Sequence, residues 1–231
     1  MTDAVNVRSL AVADVREVAF LHCRVLDMEF LSRFGPNFMS AYYLAWIDAP
    51  GAIAVVATDS GGDVLGALLG ATDPARHARA MVHQSGVRLA LSLAKSAVAR
   101  PRLAKDLMVT RGQRYARGLS RLLIARISPR KAPASQSTGT KVGEITHVLV
   151  RPEDQGRGVG RALMDAARQQ AHSSGVNELV LVTPPDLAAR TFYERLGWQS
   201  EGTMTSRSGE RFLRFRLVIG GEGSKGTDSS N

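Results

Sequence analysis

Cysteine is nearly absent from this sequence. Cys23 stands alone in 231 residues, so no intrachain disulfide can form and no CxxC metal site exists. The five histidines, His22, His77, His83, His147 and His172, show no HExxH or HxxxH pairing. Spacing therefore gives no reason to expect a metal site. Long apolar runs are missing as well: residues 87–99 form the most apolar-biased stretch, but it contains Arg88 and Lys95. It falls short of the roughly 20 apolar residues that a bilayer requires. Residues 1–6 are polar and are soon followed by Asp14, Arg16 and Glu17, which excludes the apolar centre of a signal peptide. These absences lead to the expectation of a soluble, cytoplasmic protein. What remains is 44% hydrophobic and 22% charged residues, a globular composition that can support a core without disulfides or metals.

Acidic residues are scarce in one place only. Residues 74–143 carry 15 Lys and Arg against a single acid, Asp106, within a chain whose net charge is +9. The rest of the chain is therefore net acidic. Such a patch suits an anionic partner, and composition does not choose between a nucleic acid, an anionic membrane and a phosphorylated small molecule. Tyr115 is the only aromatic residue in it, which weighs against a base-stacking platform. Peripheral contact with an anionic membrane through residues 86–99 stays open, as does a homodimer formed on the extra helical surface.

Periodicity sets the order of elements. Residues 5–10 read as a short strand, and Asp14 is expected to cap a helix reaching about residue 26. A second helix spans 30–47, its regular part beginning at Pro36. Residues 53–57 and 64–71 are apolar runs joined by a Gly-Gly hairpin turn. Helices are expected over 75–83, 86–99 and 103–127, punctuated by Gly86 and Pro101, and then a loop over 128–140. Strand 142–150, helix 158–173, strand 178–183, helix 186–196 and strands 198–204 and 211–219 complete the pattern. The segment 220–231 is low in complexity and reads as a disordered tail. An antiparallel half followed by a βαβ half implies an α/β fold, a sheet with helices on its faces.

The most informative stretch runs from Val148 to Leu163. A strand ends at Val150, Pro152 stops ladder pairing, and Gly156, Gly158 and Gly160 lead into a helix. Backbone amides bared at a helix N-terminus make an anion site, and Arg157 and Arg161 can add charge-assisted contacts. No Gly-Lys-Ser/Thr follows, so this is not a Walker A loop. It also lies too late in the chain, with no acid closing the next strand, for a dinucleotide-binding turn.

The segment Gln155-Gly156-Arg157-Gly158-Val159-Gly160 resembles the Q/R-x-x-G-x-G/A motif of the GNAT superfamily, the acyl-CoA-dependent N-acetyltransferases. Downstream, Ala189 to Trp198, with Phe192, Tyr193 and Gly197, resembles the A-x-x-F-Y-x-x-x-G-F/W segment of the same family. The resemblance covers about residues 5–73 and 142–219. It implies one domain over 1–219: a mixed, mostly antiparallel sheet, splayed at its centre and flanked by helices. The basic helical block at 74–141 is then an insertion between the third and fourth strands. It implies acetyl-CoA as co-substrate, with no metal. The backbone of Val148, Leu149 and Val150 would pair with pantetheine, and Gln155, Gly156, Arg157, Gly158, Val159, Gly160 and Arg161 would hold the pyrophosphate.

The resemblance also makes Tyr193 the phenol that protonates the departing thiolate. A group of pKa ~10 is a competent donor at neutral pH. Glu144, 11 positions before Gln155, is the preferred base, with His147 or ordered water as alternatives. On a regular strand these two residues, three apart, point to opposite faces. Asp186 stands where family members often carry Asn, a departure on the acceptor side. The expected reaction is transfer of acetyl to a primary amine of a small, anionic acceptor by direct attack. The contrasting reading is a non-catalytic acetyl-CoA-binding module that docks on an acidic partner through the basic block.

Overall fold

The structure is a computed structural model, and it describes residues 5–27, 29, 31–99, 140–185, 187–205, 209 and 211–219. Val64–Ala71 (β3) holds only apolar residues and glycine, as suits a strand covered on both faces, and every position in it is buried. Around it a seven-stranded sheet forms from Asn6–Ser9 (β1), Ala52–Thr58 (β2), Val142–Val150 (β4), Glu178–Thr183 (β5), Gln199–Thr205 (β6) and Arg211–Val218 (β7). The strand order is β1-β2-β3-β4-β5-β7-β6. Among the described residues only β4 and β5 pair in parallel; the other neighbours are antiparallel. The expected mixed, mostly antiparallel sheet is therefore present.

Helices cover both faces. Val15–Val25 (α1) and Pro36–Asp48 (α2) pack Val15, Val18, Met39 and Tyr43 against one face. Val159–Ser173 (α4) buries Val159, Leu163, Ala167 and Ala171 against the other, joined by Tyr193 of Leu187–Arg195 (α5). Each large apolar side chain removed from water in these layers contributes about 1.5–3 kcal/mol. Pro36 begins α2 as expected, after a separate 3-10 turn at Ser32–Phe34.

Two local expectations change. Asp14 precedes α1, but its carboxylate accepts from Ala11 N–H at 2.8 Å and from Arg8 at 2.6 Å, closing the preceding turn rather than capping the helix. Gly86 does not interrupt the basic block. Pro74–Ala99 (α3) is one 26-residue helix that runs straight through it, since a helix tolerates one glycine at a cost of about 1 kcal/mol. The expected helix 103–127, the loop 128–140 except its last residue, and the tail 220–231 lie outside the described residues, as does Asp186.

Candidate active site

β4 and β5 stay together for only four pairs, the last being Ile145 with Leu181. Beyond it β4 remains on β3 as far as Val150 opposite Gly66, while β5 remains on β7 as far as Thr183 opposite Leu213. The sheet opens between them. Arg151 N–H donates to Leu65 O at 2.8 Å. Antiparallel alternation then turns the ladder groups of Leu149 and His147 toward β3 and those of Val148 and Val150 into the opening. Gln155 Nε2 reaches Val150 O there at 3.4 Å.

The opening is a cleft of about 750 Å³. Val148 and Val150 form its floor, the turn bearing Gln155, Gly156 and Gly158 forms one wall, and Ala189, Phe192 and Tyr193 of α5 form the other. Gly158 has φ 87°, a left-handed conformation that glycine adopts without strain. It allows the chain to turn directly into α4. Among the described residues the amides of Gly158, Val159, Gly160 and Arg161 find no acceptor, and the first helical bond is Ala162 N–H to Gly158 O. Four free donors at the positive end of a helix suit a diphosphate. Gly160 keeps the cleft wall uncrowded, since a Cβ there would sit 3.2 Å from Phe192. Arg161 and Arg195 add positive charge to the lining.

Not every residue named from sequence belongs to this lining. Leu149 is fully buried strand core whose ladder groups face Ala67 in β3, so its backbone does not reach the opening. The Arg157 guanidinium turns away to Asp154 at 2.6 Å, and its amide is directed at Asp154 O at 3.4 Å. Val159 buries its side chain in the core and offers only its amide. Arg195, two residues after Tyr193 within the Phe-Tyr segment, was missed by sequence reading, although that segment already pointed to its helix.

Tyr193 lines the cleft from a buried position among Phe192, Trp198 and Phe215, whose rings lie 5.1–6.1 Å away. Burial raises its pKa to about 12, so the phenol holds its proton.

The opposite face of β4 differs from expectation. The register slips between Leu69 and Gly70, leaving Thr146 without a partner in β3. Gly70 allows this bulge to close, since a Cβ there would strike Glu144 O at 2.6 Å. Glu144 lies opposite Ala71 and His147 opposite Leu69, and both β3 residues face the α1–α2 layer. The bulge thus places Glu144 and His147 on the same face. Glu144 is half-buried and lines a small cavity of about 140 Å³ with Trp46, His77 and Thr146. Burial raises its pKa, against the pull of Arg214 and His147. Arg214 was also missed, though it was legible in β7, where it alternates with the buried Leu213 and Phe215. His147 is buried among the rings of His22, Tyr42 and Trp46, with Glu29 Oε2 3.3 Å from its Nε2. Nothing in the sequence pointed to Glu29.

A sheet parted beside a strand, with free backbone groups on its edge and a glycine turn feeding a helix N-terminus, makes a cleft suited to an extended ligand that carries a diphosphate. Residues 111–198 match the model of the Acetyltransferase (GNAT) family. The match spans less than half of the chain. No curated protein matches it. A ribosomal-protein alanine N-acetyltransferase from Escherichia coli shares the fold at 13% identity and a TM-score of 0.54, over 96% of this chain and 98% of the other. A spermidine N-acetyltransferase chimera from Vibrio cholerae aligns at 14% identity and a TM-score of 0.56, over 93% of this chain and 95% of the other. At such identities the likeness is one of fold. Among the described residues no helix is long and apolar enough to cross a membrane.

Proposed function

We propose that this protein transfers an acetyl group from acetyl-CoA to a primary amine of a small acceptor by direct attack, without an acyl-enzyme. The reading rests on one observation: the edge groups of Val148 and Val150, the free amides from Gly158 to Arg161 and the Tyr193 phenol all converge in one cleft. The amides take the pyrophosphate, with Arg161 and Gln155 beside it. Val148 and Val150 pair with the pantetheine arm, and the Val148 N–H polarises the thioester carbonyl.

The parted sheet gives the amine its own side. The gap begins at Ile145, next to Glu144, so a thioester lying in it is reachable from the α1–α2 face while the coenzyme stays on the α4–α5 face. Glu144, directly or through one water, takes the proton as the amine nitrogen attacks the carbonyl carbon. A carboxyl with a raised pKa is a better matched base than an exposed one. The C–S bond breaks, and Tyr193 supplies the proton to the leaving thiolate.

Calorimetry with acetyl-CoA, followed by thiol release across a panel of amines, tests this. Binding together with turnover of at least one amine is expected. Absence of any heat from coenzyme A or acetyl-CoA at millimolar concentration would remove the basis of the reading. Thermal stabilisation by acetyl-CoA without turnover of any amine would instead favour a binding module.

A further inference from the structure

Behind the open strand lies a group of side chains that acetyl transfer does not require. His22 comes from α1, Glu29 from the connection between α1 and α2, and His147 from β4. One ligand atom from each lies within 4.8 Å of the others. Glu29 Oε2 is 3.3 Å from His22 Nε2 and 3.3 Å from His147 Nε2. A zinc ion bound at its usual 2.0–2.2 Å sets tetrahedral ligands about 3.4 Å apart, so both spacings suit shared coordination.

Two further features favour a metal over a hydrogen-bonded relay. His22 is fully buried, yet its Nε2 has no well-formed hydrogen bond among the described residues, Glu29 Oε2 lying 3.3 Å away. A lone pair left in the core is costly unless something binds it. The other ring nitrogen, Nδ1, is 2.9 Å from Tyr43 Oη, the outer contact that typically orients a metal-bound imidazole.

We propose that His22, Glu29 and His147 bind one divalent transition-metal ion of the zinc class, with a water completing the coordination. Glu29 is partly exposed and provides the route in. The bound ion ties the α1–α2 connection to β4 beside Val148. This inference is independent of acetyl transfer, because it concerns different residues and its readout needs no coenzyme.

The test uses the full chain stripped with chelator and titrated with zinc by calorimetry, and with cobalt by visible absorption. One ion per chain is expected, with cobalt bands of low coordination number. Glu29→Gln and His147→Gln should each weaken zinc at least tenfold, while His83→Gln, on the exposed side of α3, should leave it unchanged. Circular dichroism identifies any variant that has unfolded. Should His147→Gln fail to fold, the partly exposed Glu29→Gln still decides the matter. The proposal is overturned if folded wild type binds no stoichiometric zinc or cobalt, or if folded Glu29→Gln binds as wild type does. It is equally overturned if the trio affects only the pH profile of acetyl transfer, the outcome a proton relay would give.

Discussion

The two faces of β4 obtain their chemistry in different ways. On the α4–α5 face it is backbone chemistry: the edge groups of Val148 and Val150 and four amides at the start of α4, exposed because glycines permit the turn. On the α1–α2 face it is side-chain chemistry: Glu144, His147, Glu29 and His22 arrive from three separate segments, and the imidazoles pull the two carboxyls down against burial. One face can accept almost any side chain at its floor provided the backbone path is kept. The other keeps its properties only while particular carboxylates and imidazoles remain.

The largest effect that would sharpen this contrast belongs to Tyr193, the side chain on the backbone-built face that we propose as the proton donor. Tyr193→Phe should lower kcat by about 10²- to 10³-fold, within the range for a general acid, and leave acetyl-CoA affinity intact. A variant with unchanged kcat would mean that water protonates the thiolate.

Next comes Glu144. Glu144→Gln should cost about 10²-fold at neutral pH. A finer test uses its neighbour. Arg214 pulls the Glu144 pKa down, so Arg214→Gln should raise it and move the acid limb of kcat/KM to higher pH. An acid limb unmoved by Arg214→Gln would dissociate Glu144 from the titration.

These two faces also explain what could be read in the sequence. A diphosphate cradle needs glycines at fixed offsets from a strand end, so Gly156, Gly158 and Gly160 announce themselves, and the Phe-Tyr segment brings Tyr193 with it. The same reading overreached at Leu149 and Arg157, because which strand a ladder group faces and where an arginine turns are tertiary facts. The α1–α2 face was far less legible. Glu144 and His147 were assigned to opposite faces by the two-residue period, and one unpaired residue, Thr146, reverses that. Nothing in the spacing of His22, Glu29 and His147, seven and then more than a hundred residues apart, hints that the fold closes them together.

A smaller effect probes the backbone side. Gly158→Ala must hold φ near 87° with a side chain in place, at a cost of about 1–3 kcal/mol. Relaxing that strain swings the amides of α4 off target. Acetyl-CoA affinity should fall about tenfold, which corresponds to roughly 1.4 kcal/mol, with kcat at saturation little changed. Wild-type affinity in this variant would show that the amides are not the principal hold on the coenzyme.

The smallest effect concerns stability on the side-chain face, measured in chelator. Against the upward push of burial, the His147 and His22 contacts hold the Glu29 carboxyl at about 2, below its ordinary 4.5. Its contribution is therefore present above about pH 4.5 and is lost as pH falls toward 2. Partial exposure of the carboxylate reduces that contribution to about 1 kcal/mol. His22 adds to the acid loss with the same sign, since its pKa is lowered on folding and the unfolded chain takes up its proton first as pH drops below 6.5. Glu29→Gln removes only the first of these. The gap in Tm between wild type and Glu29→Gln should be constant from about pH 7 to pH 5 and should narrow by about pH 3. A gap that stays constant or widens toward acid would mean that the histidines do not hold Glu29 ionised, and the contrast between the two faces would lose its electrostatic half.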